Sequence, residues 1–365
     1  MIRVLHVFGG LGTGGTESLI MSWYRSIDRE KIQFDFLVRS PDNNYLAEIE
    51  ALGGRVFYTS SFPRYFLKNY RETKAILARK EWSVIHVHGN AAIYTLPLKL
   101  AKKFGYPCRI MHSHNVKAQK SVFSLIHMCS RKQLSRTATH RLACSSAAGK
   151  WMFGNKSCQV FHNAIDVTAY GFDPEIRQVI RKTCGLEEKF VVGHVGRLAA
   201  QKNHGFLLET FKAFRSHRPD SVLMLVGDGE LEPEVKAKAE ELGILDSVLF
   251  MGRRSDVGSL MSAMDLFVLP SLYEGLGIVL VEAQCNGLPC LVSREACHEE
   301  VKVYPELLSV LPLSAGENVW AEHIQKISLE ARNRSVDLDV LKSCGYDMKT
   351  EITILEDLYL QAEKG

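Results

Sequence analysis

The sequence predicts an α/β protein of two doubly wound units, each a parallel sheet covered by helices on both faces. Three observations carry that reading. At 365 residues the chain is too long for one ordinary core and long enough for two domains of common size. Its 46% hydrophobic and 24% charged residues are the proportions of a globular enzyme. Short apolar, β-branched runs alternate with amphipathic segments of helical length, and the alternation restarts midway.

The first series of strands is expected at Val4–Phe8, Phe34–Val38, Arg55–Tyr58, Val84–His88, Arg109–His114, Leu142–Ser145 and Gln159–His162. Helical periodicity fills Glu17–Ile27 and Tyr65–Arg79 between them. After the turn-rich segment Asp166–Pro174 a second series follows. It comprises Phe190–Gly196, Val222–Val226, Val248–Met251, Leu266–Pro270, Pro289–Val292 and Leu308–Leu311, with helices at Phe206–Ser216 and Glu230–Leu242. Sheets of this kind bind ligands at the carboxyl ends of their strands, and two facing units would form a cleft.

Composition narrows the class. Nine cysteines, an odd number without a C-x-x-C pair, argue against a disulfide framework and a zinc ribbon, and for a reducing compartment. The opening run reaches glycine after a strand's length, which is no signal-peptide core, and the longest apolar candidate, Trp82–Leu98, carries His86, His88 and Asn90. A cytoplasmic protein is expected. Its net charge of +4 hides an asymmetry: +15 over residues 1–165 and −11 over 166–365. Between Trp82 and Ile165 twelve basic residues stand without one acidic residue. Such a half expects an anionic partner: nucleic acid, membrane surface or phosphorylated ligand. A solvated basic face without a partner is the plain alternative.

The residues that carry chemistry follow the strands. Gly10, Gly12 and Gly15 satisfy G-x-G-x-x-G between a strand and a helix, where backbone and helix N-terminus favour an anion. A nicotinamide site with Asp35 as its ribose acid and a tight strand–helix turn both remain open. The pairs His86-Val-His88 and His112-Ser-His114 each put two imidazoles on one strand face. No metal is expected there, because the region lacks carboxylates. One histidine acting as acid, base or polar ligand group stands beside the alternative of plain core histidines. In the second half, Arg197 and Lys202 follow a glycine turn at a helix start, a suitable anchor for a pyrophosphate. Gly227-Asp-Gly229 reads as a turn. The stretch from Pro270 to Pro289 puts Glu274 in a loop and Glu282 on the following helix, with Gly275 and Gly277 allowing close backbone approach. Glu282 suits a ribose diol, or the two glutamates form an exposed helix pair.

Taken together, the glycine loop 10–17, His112-Ser-His-Asn115, His162-Asn-Ala-Ile-Asp166, Gly196-Arg197 with Gln201-Lys202-Asn203, and the Glu274/Glu282 pair resemble glycosyltransferase family 4, along essentially the whole chain. That group is retaining and has the GT-B fold of two Rossmann-like domains. His112-Ser-His-Asn115 and Gly345-Tyr-Asp347 look like the branch acting in capsular and exopolysaccharide synthesis. The resemblance implies an acceptor-binding domain at 1–168, a nucleotide-sugar-binding domain at 172–343, and a helix in 344–365 returning to the first domain. It implies that Arg197 and Lys202 hold the donor pyrophosphate, that Glu282 binds the ribose, and that Gly275, Leu276 and Gly277 line the donor. Glu274 and His114 then act at the transferred sugar, while Gly12, Gly14 and Gly15 close over the phosphates. Glu295-Ala-Cys-His-Glu-Glu300 stands where many members carry a Gly-Gly-x-x-Glu-like turn, so that loop receives no ligand role.

The implied reaction moves a sugar from a nucleotide-diphosphate-sugar, expected to be a UDP-sugar, to a polyprenyl-diphosphate-linked saccharide. No cofactor and no metal are expected, because two cations and a helix N-terminus already face the leaving diphosphate. No nucleic-acid partner is expected either, for want of an aromatic stacking pattern. Docking of the first domain on an anionic membrane is expected through Lys99, Lys102, Lys103 and the segment Lys117–Arg141. That segment mixes Lys117, Lys120, Arg131, Lys132 and Arg136 with Val122, Phe123, Leu125, Ile126 and Met128. The rivals are a nicotinamide oxidoreductase using Gly10, Gly12 and Gly15, and a sugar-nucleotide epimerase of the same architecture.

Overall fold

A computed structural model describes residues 1–12, 14–114, 121–330 and 333–362, with the backbone alone at 121–125 and 135. The chain divides into two compact units: Met1–Ala164 with Asp347–Gly365, and Ile165–Tyr346. The division falls a few residues from the expected boundaries of 168/172 and 343/344, for a local reason. The short helix Val167–Tyr170 is tied to the second unit, where Asn286 Nδ2 donates to Tyr170 O at 2.8 Å. At the far end, Tyr346 donates its hydroxyl to Glu300 O at 2.7 Å, so the crossing comes just after it.

The first unit holds seven parallel strands: β1 (Ile2–Val7), β2 (Ile32–Val38), β3 (Val56–Tyr58), β4 (Val84–Gly89), β5 (Cys108–Ser113), β6 (His140–Ala143) and β7 (Gln159–Val160). Their order is β3-β2-β1-β4-β5-β6-β7, so the winding reverses between β1 and β4. Strand alternation sorts side chains onto two faces. Leu5, Val7, Ile85, Val87 and Met111 enter one core with Leu98 and Met152. Val4, Val84 and Ile110 enter the other with Trp23, Phe34 and Tyr359.

The helix Met348–Gln361 closes that second face. Met348, Ile352, Leu355 and Tyr359 recur at helical spacing and are buried. Each such side chain contributes about 1.5–3 kcal/mol by leaving water. Asp347 caps the helix, accepting from Thr350 N and Oγ1 at 3.1 and 2.7 Å.

The second unit holds six parallel strands: β8 (Phe190–Val195), β9 (Ser221–Val226), β10 (Val248–Gly252), β11 (Leu266–Leu269), β12 (Cys290–Ser293) and β13 (Leu308–Leu311). The order β10-β9-β8-β11-β12-β13 reverses between β8 and β11. One face packs on Met261, Leu280 and Val301, the other on Phe211, Phe214 and Trp320. In an open parallel sheet a ligand is received where the winding reverses, beyond the carboxyl ends of the strands. That places attention on the loops after Val195 and Leu269.

Candidate active site

Beyond Val195 the chain turns at Gly196, makes a short 3-10 turn at Ala200–Lys202, and starts the helix His204–His217 from Asn203 in the left-handed region (φ 58°). Lys202 runs back across Gly196, where an added Cβ would meet Lys202 Cε at 2.7 Å. Gly227 packs equally close, since its Cβ would lie 2.1 Å from Gly196 O. The Gly227-Asp-Gly229 turn is therefore a structural neighbour of the Lys202 loop.

Lys202 Nζ lies 2.7 Å from Glu274 Oε1, and the two side chains keep 14% and 8% of their exposure. Gln201 Nε2 donates to Glu274 Oε2 at 3.2 Å and to Tyr273 O at 2.9 Å. His298 Nε2 donates to Glu274 O at 3.0 Å. Glu274 is thus fixed by Lys202, Gln201 and His298. An ammonium carries three N–H donors. One is spent on Glu274, and the others are available to an anion.

Gly275 and Leu276 carry the chain from Glu274 to Gly277, which begins the helix Ile278–Cys285 in the left-handed region (φ 79°). Leu280 N donates to Gly277 O at 2.9 Å, and no side chain at Gly277 caps the first turn. Glu282, on this helix, is half-buried and accepts the Tyr170 hydroxyl. Burial pushes its carboxyl up to about 7, against the pull of Tyr170 and Lys202. The Glu282 charge in turn holds the Tyr170 phenol well above its usual range. Arg197 stands apart from this cluster: it is 72% exposed and pairs with Glu230 at 3.0 Å. The chain's one Asp-x-Asp run, Asp337-Leu338-Asp339, caps the helix Leu338–Ser343, with Asp337 accepting from Asp339 N and Asp339 paired to Lys342 at 2.7 Å.

In the first unit the sequence singled out four histidines, and the structure adds a fifth. The register sets His6 beside His86 and His88 beside His112. Strand alternation then puts His6, His86, His88, His112 and His114 on one face, beneath Trp23 and Tyr359. Burial pushes His6 and His114 down to about 3 and the other three well below their usual value. His114 follows β5 and is the least buried of the five. Gly12 is half-buried, while Gly14 and Gly15 are exposed at the start of the helix Gly15–Ser26. The Glu17 carboxylate folds back over Gly14, where a Cβ would meet Oε2 at 2.5 Å. Thr13 lies outside the described residues.

Residues 13–169 match the family described as Glycosyltransferase Family 4, and residues 176–303 that described as Glycosyl transferases group 1. EpsF of Bacillus subtilis (strain 168), assigned as a glycosyltransferase, is 35% identical over 98% of this chain and 96% of its own. This chain belongs to glycosyltransferase family 4. An Escherichia coli member, a UDP-Gal:alpha-D-GlcNAc-diphosphoundecaprenol alpha-1,3-galactosyltransferase, is 27% identical over 80% of this chain and 79% of its own. Anabaena Alr3699/HepE, solved with UDP and glucose, shares the fold with a TM-score of 0.72 at 17% identity, covering 100% of this chain and 98% of its own.

As a family 4 glycosyltransferase of GT-B fold, the protein gives no support to the oxidoreductase or epimerase readings. Asp35, the ribose acid of the first, is fully buried and committed elsewhere: Arg3 and Arg55 pair with it at 2.6 and 2.7 Å, and Trp82 Nε1 donates at 2.7 Å. Sequence reasoning missed His298, Tyr170 and His6. The first two meet their partners only through the fold, whereas His6 shares the parity of Val4 and Phe8 on one strand and was open to view.

Proposed function

We propose that this glycosyltransferase moves a sugar from a UDP-sugar to a polyprenyl-diphosphate-linked saccharide, with retention and without a metal, in capsular or exopolysaccharide synthesis. The observation that carries the donor half is the Lys202–Glu274 pair, 2.7 Å apart at the reversal point of the second sheet. Lys202, Arg197 and the first turn of the helix Ile278–Cys285 supply positive charge to the leaving diphosphate. Gly12, Gly14 and Gly15 approach the phosphates, and Gly275, Leu276 and Gly277 line the donor. Glu282 accepts from the ribose hydroxyls. Glu274 and His114 serve the transferred sugar. The anomeric carbon–phosphate bond breaks as the acceptor oxygen attacks on the same face, and the acceptor proton passes to the departing phosphate oxygen.

The acceptor half draws support from the Escherichia coli relative, whose name states a diphosphoundecaprenol-linked acceptor, and the choice of UDP from that name and from HepE. Among the described residues no helix is long and apolar enough to cross a membrane. In the proposed location, cytoplasmic and peripheral, the first unit docks on anionic lipid. On the helix Ser121–Thr137, Ile126 and Met128 are 45% and 61% exposed. Arg131, Lys132, Arg136 and Lys156 line an adjoining open pocket of about 620 Å³. Lys117 and Lys120 lie outside the described residues, as do the side chains of Val122, Phe123 and Leu125.

The test is a thermal-shift and calorimetric panel of UDP, GDP, their sugars and reduced nicotinamide, followed by product NMR. UDP and one UDP-sugar should raise the melting temperature, and transfer should give a retained anomer that survives EDTA. Binding of nicotinamide alone, an inverted product, or loss with EDTA restored by manganese would each remove its part of the proposal.

A further inference from the structure

Arg39 follows β2, is half-buried, and pairs with no carboxylate among the described residues. Its guanidinium lies 4.1 Å from the centre of the Tyr94 ring, and its Nε donates to Phe8 O at 3.5 Å. Other guanidinium groups that leave water find acceptors. Arg3 pairs with Asp35, and Arg177 and Arg181 with Asp265, at 2.5–3.0 Å. Arg334 donates to the carbonyl oxygens of Met261, Ser262 and Met264.

A guanidinium has five N–H donors. In Arg39 only the one on Nε has a partner among the described residues. The Nη atoms are not sealed inside the protein, because Arg39 lines an open pocket of about 770 Å³. Burial without an acid beside it disfavours the charged form and lowers its pKa. An anion entering the pocket would offset that penalty.

The pocket lies beyond the carboxyl ends of β2 and β3, and Ser40, Tyr58, Ser60, Tyr65 and Lys68 share its wall with Arg39. One side is fixed to the glycine loop. Arg39 N donates to Gly9 O at 3.0 Å, Asn44 Nδ2 donates to Leu11 O at 3.2 Å, and a Cβ on Gly10 would meet Ser40 Cβ at 2.5 Å. The other side is the start of the helix Phe66–Leu77, which packs through Asn69, Thr73, Ile76 and Leu77. Ahead of them Tyr65, Phe66 and Leu67 keep 48%, 50% and 68% of their exposure, an apolar edge standing in water. Lys68 is loosely held: Glu72, 3.9 Å away, already accepts from Ser60 N and Oγ at 2.6 and 3.1 Å.

The wall thus runs from a glycine loop through two cations to an exposed apolar edge. A saccharide on a prenyl diphosphate has the same order of chemistry: sugar, anion, hydrocarbon. We propose that Arg39 and Lys68 hold the acceptor's diphosphate in this pocket, with the first isoprene units on Tyr65, Phe66 and Leu67 and the saccharide directed to the glycine loop. The proposal rests on the reading that the acceptor is prenyl-diphosphate-linked. A planar guanidinium suits a phosphate through paired N–H···O bonds. A flat anionic bilayer would engage the exposed Arg64, Lys68 and Arg71, whereas the recessed Arg39 answers to a headgroup that enters the pocket. A lipid-free saccharide would leave both the guanidinium and the apolar edge unused.

The experiment is calorimetry on full-length protein with farnesyl diphosphate, farnesol and inorganic pyrophosphate. It is run also in Lys202→Ala, so that a diphosphate held by Lys202 is counted separately. One farnesyl diphosphate site should persist in Lys202→Ala, bind more tightly than pyrophosphate, and ignore farnesol. Arg39→Gln should weaken that site about tenfold or more, as expected for a charge-assisted contact to phosphate, while UDP binding is unchanged. Arg39→Lys should recover part of the loss. Phe66→Ser with Leu67→Ser should weaken farnesyl diphosphate and leave pyrophosphate alone. Lys68→Gln, an exposed change, should give a smaller loss and serves as the test should Arg39→Gln fail to fold. No saturable site in Lys202→Ala, an affinity indifferent to Arg39→Gln in folded protein, or one equal to that of pyrophosphate would overturn the pocket. So would an equal loss of sedimentation with phosphatidylglycerol vesicles in Arg39→Gln, which would assign Arg39 to the bulk bilayer. Transfer to a prenyl-diphosphate-linked saccharide with an acceptor KM unmoved by Arg39→Gln ends the pocket and keeps the acceptor reading. Farnesyl diphosphate held at Arg39 in a protein that glycosylates only lipid-free saccharides ends that reading and leaves a prenyl-diphosphate site.

Discussion

In the proposed donor site Lys202 is the cation that meets the diphosphate. It is held against Glu274, so removing it withdraws that proposed ligand and strands a carboxylate that keeps only 8% of its exposure. Lys202→Ala should weaken UDP binding about tenfold or more, as for a charge-assisted contact of roughly 1.5–3 kcal/mol, while uridine binding changes little. Calorimetry with both ligands checks this, and equal losses would place Lys202 away from phosphate. Glu282 gives a pH signature. Its carboxyl sits at about 7 through burial, and in the proposed site ribose hydroxyls donate to the charged form. UDP affinity should therefore rise between pH 6 and 8 and level off above, and Glu282→Gln should flatten the curve. A flat wild-type profile would separate Glu282 from the ribose. Lys202 was legible as a cation after the glycine turn at Gly196, Glu274 because it adjoins Gly275 in a loop, and Glu282 because it lies on the helix that follows. Their partners were not. Gln201 and Glu274 stand 73 positions apart, and His298 lies in a loop for which no ligand role was expected.

At the scale of elements, all thirteen strands stand where apolar β-branched runs predicted them, with ends moved by one or two residues. Such runs are legible because a strand buried on both faces has no polar side to hide in. Short helices such as Ser146–Phe153 and Val257–Ala263 were harder, since two turns give too few residues to establish a period. Asp35 shows the opposite failure. Its place on the second strand suggested a ribose acid, whereas Arg3, Arg55 and Trp82 consume it. Burial alone would raise its carboxyl, and those hydrogen bonds hold it below the usual value. The helix Met348–Gln361 makes a testable element. Leu355→Ala should cost about 2–5 kcal/mol as a core deletion. Tyr359→Phe should cost about 1–3 kcal/mol through the unpartnered His86 nitrogen. Urea unfolding measures both, and a neutral Tyr359→Phe would show that His86 finds another partner. On the helix Ser121–Thr137, Lys132/Arg136→Glu should reduce sedimentation with anionic liposomes at low salt, each cation being worth about 1 kcal/mol near the surface. Unchanged sedimentation would remove this surface from the membrane.

For the molecule as a whole, the uncharged histidines set an acid limit. Their folded pKa values lie far below 6.5, so between those values and 6.5 the unfolded chain binds more protons than the native one. Stability then falls as pH falls, by about 1.4 kcal/mol per pH unit for each such histidine. Glu282 and Glu351 work the other way, since their raised carboxyls make the native state the better proton binder between 4.5 and about 7. With His194 and His204 also lowered by burial, the histidines outweigh these glutamates, and the melting temperature should drop steeply from pH 7 to 5. Replacing His112 by Phe should soften that drop. A melting temperature level down to pH 5 would mean that the imidazoles find water or partners.

The path of the chain, out of the first unit at Ala164 and back at Asp347, also sets a timetable. On a ribosome adding roughly 5–20 residues per second, β4 emerges many seconds before the helix that covers it. His86 must wait through 273 positions of sequence for the Tyr359 hydroxyl. Meanwhile the second unit, an unbroken stretch from Ile165 to Tyr346, can finish folding. The unit that is started first is completed last. During that interval the face of its sheet carrying Val4, Val84 and Ile110 lacks one covering helix, which makes the nascent first unit the stage at which a chaperone would be needed.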